Sequence, residues 1–149
     1  MALQISLDFS VGELHDTLAW LEARLGDMRP LYVAIGGEME SRIGERFEQQ
    51  RDPFGALWKE WAPATVASYP SDGNGRILDR YSDMLNSLNW RATGKDVLVG
   101  FGVPYATYHE HGTNKMPRRG LLFADPDART LAPADNDAVI DCLRDFFSP

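Results

Sequence analysis

The sequence predicts an α+β fold: a single domain over residues 1–149, with a small antiparallel sheet packed against two long N-terminal helices and a C-terminal helix. Three observations carry this. Apolar residues recur every three or four positions in three separate stretches, which is the helical period. Residues 86–101 read as two strands joined by four turn formers. A chain of 149 residues without an internal repeat has the size of one hydrophobic core.

Each element follows from its own pattern. Leu3, Ile5, Leu7 and Phe9 alternate with Gln4, Ser6 and Asp8, the period of a half-buried strand. Ser10 with Glu13 makes a capping box, and Val11, Leu14, Leu18, Leu21 and Leu25 form the stripe of a helix that stops at Gly26. Asp27 and Pro30 suit the opening of a second helix, whose stripe of Leu31, Ile35, Met39, Ile43 and Phe47 runs to about Gln50. Gly36, Gly37 and Gly44 lower its intrinsic propensity by about 1 kcal/mol each, and would suit close packing against a neighbour.

Periodicity is lost from Arg51 to Arg76, yet this stretch holds Phe54, Trp58 and Trp61, and loops with so much aromatic area are pinned to a surface. Ser71–Gly75 is a turn cluster. Ile77 to about Leu85 reads as a short helix. Asn86–Ala92, Thr93–Asp96 and Val97–Phe101 make the hairpin. Pro104–His111 reads as a helical turn ending at Gly112, Thr113–Gly120 as a basic loop, and Leu121–Phe123 as an edge strand. After a connection from Asp125 to Pro133, Asp135 or Asn136 caps a last helix over about 135–147. Its stripe is Val139, Ile140, Leu143, Phe146 and Phe147.

Charge and composition exclude several functions. Twenty-two acidic against fifteen basic residues give a net charge of −7, which disfavours sequence-reading nucleic-acid binding. No apolar run reaches the roughly 20 residues of a membrane helix. Met1–Ser10 has no basic residue ahead of its apolar positions and does not resemble a secretion signal, so a soluble intracellular protein is expected.

No catalytic constellation stands out, and neither enzyme activity nor a cofactor or metal is expected. His109 and His111 invite a metal reading, but they sit on a helical turn without an evident third ligand. The lone Cys142 lies in an acidic helix, away from any electropositive niche. Gly73-Asn-Gly75 lacks the strand, helix and lysine of a phosphate loop, and the paired aspartates look solvated. Charge is uneven instead. Lys115, Arg118 and Arg119 make the 113–119 loop basic, while the segment from Ala124 onward carries six aspartates against two arginines. Unlike surfaces of this kind suit copies joined head to tail.

Three stretches in order then resemble a family. Phe54-Gly-Ala-Leu-Trp58 followed by Trp61-Ala-Pro-Ala-Thr65 is similar to the "G-x-x-W-x-x-L-x-P-x-T" segment of phage virion morphogenesis proteins, the Mu-like G protein group related to tail-completion proteins. Ile77-Leu78 with Ser82, Met84, Ser87 and Leu88 resembles "I-L-x-x-x-G-x-L-x-x-S-I", with Ser82 in place of the glycine. Tyr105-Ala106, His109, Gly112 and Met116–Phe123 resemble "Y-A-x-x-H-x-x-G" followed by "I-P-x-R-x-F-L". Together the motifs span residues 51–123.

The resemblance implies a structural protein of a tailed bacteriophage, acting at the head–tail junction as a ring, commonly a hexamer, that completes the tail. Its implied partners are further copies of itself, a neck or head-closure protein and the tail tube protein, with DNA passing through the lumen unread. It would reside in the virion after assembly in the bacterial cytoplasm. The alternative is an assembly factor absent from the finished particle. Phe54, Trp58, Trp61, Tyr105, His109, His111, Lys115, Arg118, Arg119 and Phe123 are the candidate subunit or partner contacts.

Overall fold

The computed structural model describes residues 11–148. The strand expected at Leu3–Phe9 and the Ser10 cap lie outside the described residues. The elements run α1 (Val11–Gly26), α2 (Arg29–Gln49), α3 (Pro63–Ala67), α4 (Asp83–Asn86), β1 (Leu88–Ala92), β2 (Val97–Phe101), α5 (Ala106–His111) and α6 (Pro133–Phe146). The class is α+β, as the sequence predicts, with a two-stranded antiparallel sheet among the described residues. No helix of the structure is long and apolar enough to cross a membrane.

The hairpin forms where the sequence places it. β1 pairs with β2 from Leu88↔Phe101 to Ala92↔Val97, and Thr93–Asp96 makes the turn. The Thr93 hydroxyl oxygen accepts the amides of Lys95 and Asp96, each at 3.1 Å. α2 lies across the inner side of the hairpin and also packs on α6.

The α2 stripe forms the core: Met39, Ile43 and Phe47 bury against Trp58, Ile77, Met84, Leu88 and Leu121. Phe47 meets Trp58 edge-on at 5.4 Å and Phe101 at 5.9 Å. Close packing requires one of the three helix glycines. A Cβ at Gly36 would lie 2.5 Å from the Trp90 ring, whereas Gly37 and Gly44 have nothing within 4 Å. Trp90 lies over α2 at Gly36 and donates its indole N–H to Glu40 at 3.0 Å.

A buried ion cluster fastens α6. Asp135 is fully buried and accepts hydrogen bonds from Arg42 Nε at 2.8 Å and from Arg46 Nη2. Arg46 also donates to the Leu121 carbonyl at 2.6 Å, so one guanidinium joins α2, α6 and the 121 segment. This corrects the solvated cap expected at Asp135 or Asn136. The helix instead starts after Ala132 with Pro133 in its first turn, which turns Asp135 inward.

Four other expectations change. The helix expected over 77–85 shrinks to α4, because Leu78 and Ser82 have positive φ values of 60° and 63°. Between them, the buried Asp79 carboxylate accepts from Asn74 Nδ2 at 2.9 Å and from the Ser82 hydroxyl at 3.0 Å. Residues 63–67, expected as loop, form α3 with Pro63 in its first turn. The 121–123 run is no strand, since its amides are bound to a carboxylate. Finally, the α1 stripe is not buried: Leu14, Leu18 and Leu25 are exposed, and α1 makes only marginal contact with other elements.

Candidate functional site

Three features stand out in the 51–123 segment: an exposed apolar tip, a cavity and a buried carboxylate. The first is the tip after α2. Gln50 ends the helix in a left-handed conformation, φ 55°. One Asp52 carboxylate oxygen then accepts the amides of Phe54 and Ala56, both at 2.9 Å. Arg51 donates to the Gly55 carbonyl at 2.6 Å, and Gly55 itself turns at φ 84°. This local hydrogen bonding holds out two apolar side chains, Phe54 at 62% and Leu57 at 65% exposure.

The second feature is a cavity of about 530 Å³, lined in part by Trp61, Tyr69, Tyr105, His109, Lys115 and Met116. Trp61 stacks on Tyr69 at 4.6 Å, and Tyr105 meets the His109 ring edge-on at 6.5 Å. His109 Nδ1 is buried with no hydrogen-bond partner among the described residues. Burial, and then the nearby Arg119 guanidinium, hold this imidazole below the usual histidine pKa, favouring its neutral form.

The third feature is Glu110, which fastens the 121–123 segment to α5. Its buried carboxylate accepts the amides of Leu121 at 2.6 Å, Leu122 at 3.0 Å and Phe123 at 3.0 Å. Arg118 bonds the Glu110 carbonyl at 2.7 Å, the Phe123 carbonyl at 2.7 Å and the Glu110 carboxylate at 3.5 Å. Gly112 is obligatory at this crossing: its φ is 74°, and a Cβ there would lie 2.8 Å from the Arg118 nitrogen.

The candidate contact residues therefore divide. Phe54, Tyr105, His111 and Lys115 are exposed, while Trp61 and His109 are half-buried in the cavity wall. Trp58 belongs to the core instead, at 4% exposure with its indole N–H donated to the Gly120 carbonyl at 3.0 Å. Arg119 is buried and bonds the carbonyls of Lys59 at 2.8 Å and Glu60 at 2.9 Å. Arg118 is likewise taken up internally, and Phe123 is held half-buried by its amide bond to Glu110. Of the three basic residues of the 113–119 loop, Lys115 alone is exposed, which shrinks the basic surface expected there.

The two histidines diverge. His111 Nδ1 lies 3.1 Å from the Thr107 carbonyl and Nε2 lies 3.7 Å from Asp127, while His109 lines the cavity. No group of three or more His, Cys, Asp or Glu among the described residues is placed to hold a metal ion. Burial and then Glu38 push the Cys142 thiol pKa up, the reverse of nucleophile activation.

Two comparisons bear on these features. The model of the phage virion morphogenesis family matches residues 9–147. The "Mu-like prophage FluMu G protein 2" of Haemophilus influenzae is 23% identical over 135 residues, which is 91% of this chain and 89% of that protein. No solved structure matches significantly.

Proposed function

This chain belongs to the phage virion morphogenesis family, and from that premise we propose that it is a subunit of a ring at the head–tail junction. The family supports a virion-associated structural role. The observation that supports the finer reading is the pairing of a stiff apolar tip, Phe54 and Leu57, with an aromatic cavity lined by other residues of the same chain.

A knob and a hole on different patches of one subunit make a heterologous contact, which closes into a ring when the rotation allows. In this reading Phe54 enters the Trp61–Tyr69–Tyr105 cavity of the next copy. At about 530 Å³ that cavity has the volume of a small ligand site, enough for an aromatic ring. The ring is a hexamer, its two faces meet the neck or head-closure protein and the tail tube protein, and it has no enzymatic step to perform. A net charge of −7 lets DNA pass without phosphate contacts that would hold it.

Mass spectrometry of purified virions, together with an image of the neck in which this chain is traced, tests the proposal. Peptides at ring-like copy number and density at the junction are expected. Absence from finished particles would assign the chain to the alternative role of an assembly factor.

A further inference from the structure

Among the described residues, β2 pairs with β1 on one side and with no strand on the other. The backbone bonds show which groups this leaves. Gly102 donates to the Ser87 carbonyl and Thr93 to the Asp96 carbonyl, each at 2.9 Å. In an antiparallel ladder bonded pairs alternate, so Asn89 with Gly100 and Arg91 with Leu98 are the bonded pairs between those two. The N–H and C=O groups of Val97, Val99 and Phe101 therefore point away from β1, and among the described residues none of them is hydrogen-bonded. The strand reads Val97-Leu-Val-Gly-Phe101, without the charge, proline or bulge that protects exposed edges. A hairpin of two strands is also marginal by itself.

A groove of about 570 Å³ runs beside this edge. Val99, Phe101, Val103, Leu122 and Phe123, all half-buried, line it, and no residue of β1 does. An edge of free backbone groups next to an apolar groove suits an extended segment with apolar residues at every second position. Main-chain bonds make the pairing, and alternate side chains enter the groove. The stretch before α1 has that pattern: Leu3, Ile5, Leu7 and Phe9 alternate with Gln4, Ser6 and Asp8. At about 3.4 Å per residue, residues 3–9 span roughly 23 Å, enough for the five residues of β2.

The tether is also long enough. Ser10 joins the stretch directly to α1, which meets the body where the Arg24 guanidinium lies 4.9 Å from the Phe146 ring. From Arg24 the helix runs back about 20 Å to Val11. Helix and stretch together, roughly 43 Å, exceed twice the ~15 Å radius of gyration of a domain of this length.

We propose that residues 3–9 add to the free edge of β2 of the same chain as a third strand. Leu3, Ile5, Leu7 and Phe9 turn to the groove, and Gln4, Ser6 and Asp8 to solvent. A tethered strand meets the edge at high effective concentration and loses no translational freedom, which favours it over the same stretch of a second copy. A covered edge no longer pairs with strands of other chains. The groove shares no lining residue with the Trp61–Tyr69–Tyr105 cavity, so the inference stands apart from the ring reading.

Amide hydrogen exchange of the full chain, read residue by residue by NMR, tests it. The amides of Val97, Val99 and Phe101 should be protected like those of Leu98 and Gly100, whose bonds lie inside the hairpin. Exchange of these three at the rate of an unpaired chain would overturn the proposal. Ile5→Asp with Leu7→Asp charges the apolar face and should speed their exchange by about tenfold or more, while Leu98 and Gly100 stay protected and report a folded hairpin. Gln4→Asp with Ser6→Asp adds the same charge to the other face and should leave all five amides unchanged. Equal effects of the two double substitutions, or no effect of either, would count against the pairing. Mixing identifies the donor chain. Isotope-labelled Ile5→Asp/Leu7→Asp protein, refolded with an excess of unlabelled unsubstituted protein, should stay unprotected at Val97, Val99 and Phe101. Recovered protection would mean that a second copy supplies the strand, and would overturn the same-chain assignment.

Discussion

α1 and α2 carry apolar stripes of the same period, with opposite outcomes. In α2, Leu31, Met39, Ile43 and Phe47 are buried, while in α1 Leu14, Leu18 and Leu25 face outward. The difference lies in what surrounds each helix. α2 is tied by Arg46 to Asp135 and to the Leu121 carbonyl, by Arg42 to Asp135, and by Gly36 to the Trp90 ring. α1 has cation–ring contacts from Arg24 and a two-residue link. Periodicity thus states that a face is apolar, and polar fastenings decide whether it is buried within the same chain.

Removing a fastening should produce the largest loss. Glu110→Ala leaves three amides of the 121–123 segment without their acceptor and takes a carboxylate from Arg118. Breaking a buried charged cluster costs about 3–5 kcal/mol, so urea unfolding should show a loss of that order. A loss below about 1 kcal/mol would show that the segment is held by its side chains instead.

Neighbouring glycines sharpen the comparison. Gly36→Ala forces a Cβ into the Trp90 ring and should cost about 1–3 kcal/mol. Gly37→Ala meets open space and should stabilise by about 0.5–1 kcal/mol through helix propensity alone. Equal effects at the two positions, read by thermal unfolding, would contradict the packing described for α2. Ser82 adopts a left-handed φ of 63° at the position where the family motif has glycine. Ser82→Gly relieves this strain but removes the hydroxyl's hydrogen bond to the buried Asp79 carboxylate, so two opposing effects of about 1 kcal/mol each should nearly cancel in thermal unfolding.

The smallest effect is electrostatic. His109 is held neutral by burial and by Arg119, so its folded pKa lies below the unfolded value of about 6.5. Below that pH the unfolded chain binds more protons than the folded one, and stability falls as pH falls. His109→Gln should flatten this acid limb below about pH 6.5 and leave stability at pH 8 nearly unchanged, as followed by urea midpoints.

The legible parts of the fold rest on local rules. The hairpin follows from Thr93–Asp96 between two apolar runs, and the α2 stripe from its spacing of four. The resemblance in residues 51–123 finds the segment that the tip, Glu110 and the cavity all occupy. Less legible are features settled by distant partners. Glu110 lies between two histidines that draw attention away from it, and its role depends on amides eleven to thirteen residues on. Asp135 has the spacing of a cap, but Arg42 and Arg46 turn it inward. Arg118 and Arg119 add to a basic loop on composition, yet both bond backbone carbonyls.

The central claim is that apolar surface left outside this core is there to meet other copies. Light scattering of the unsubstituted protein beside Phe54→Ser tests it most directly. Phe54 is 62% exposed, so its loss should leave the unfolding midpoint of a single chain within about 0.5 kcal/mol of the original. The account predicts a closed oligomer of 16.7 kDa subunits for the unsubstituted protein and a collapse toward the single chain for Phe54→Ser. An oligomer unchanged by Phe54→Ser, or a protein that remains one chain at all concentrations, would contradict it.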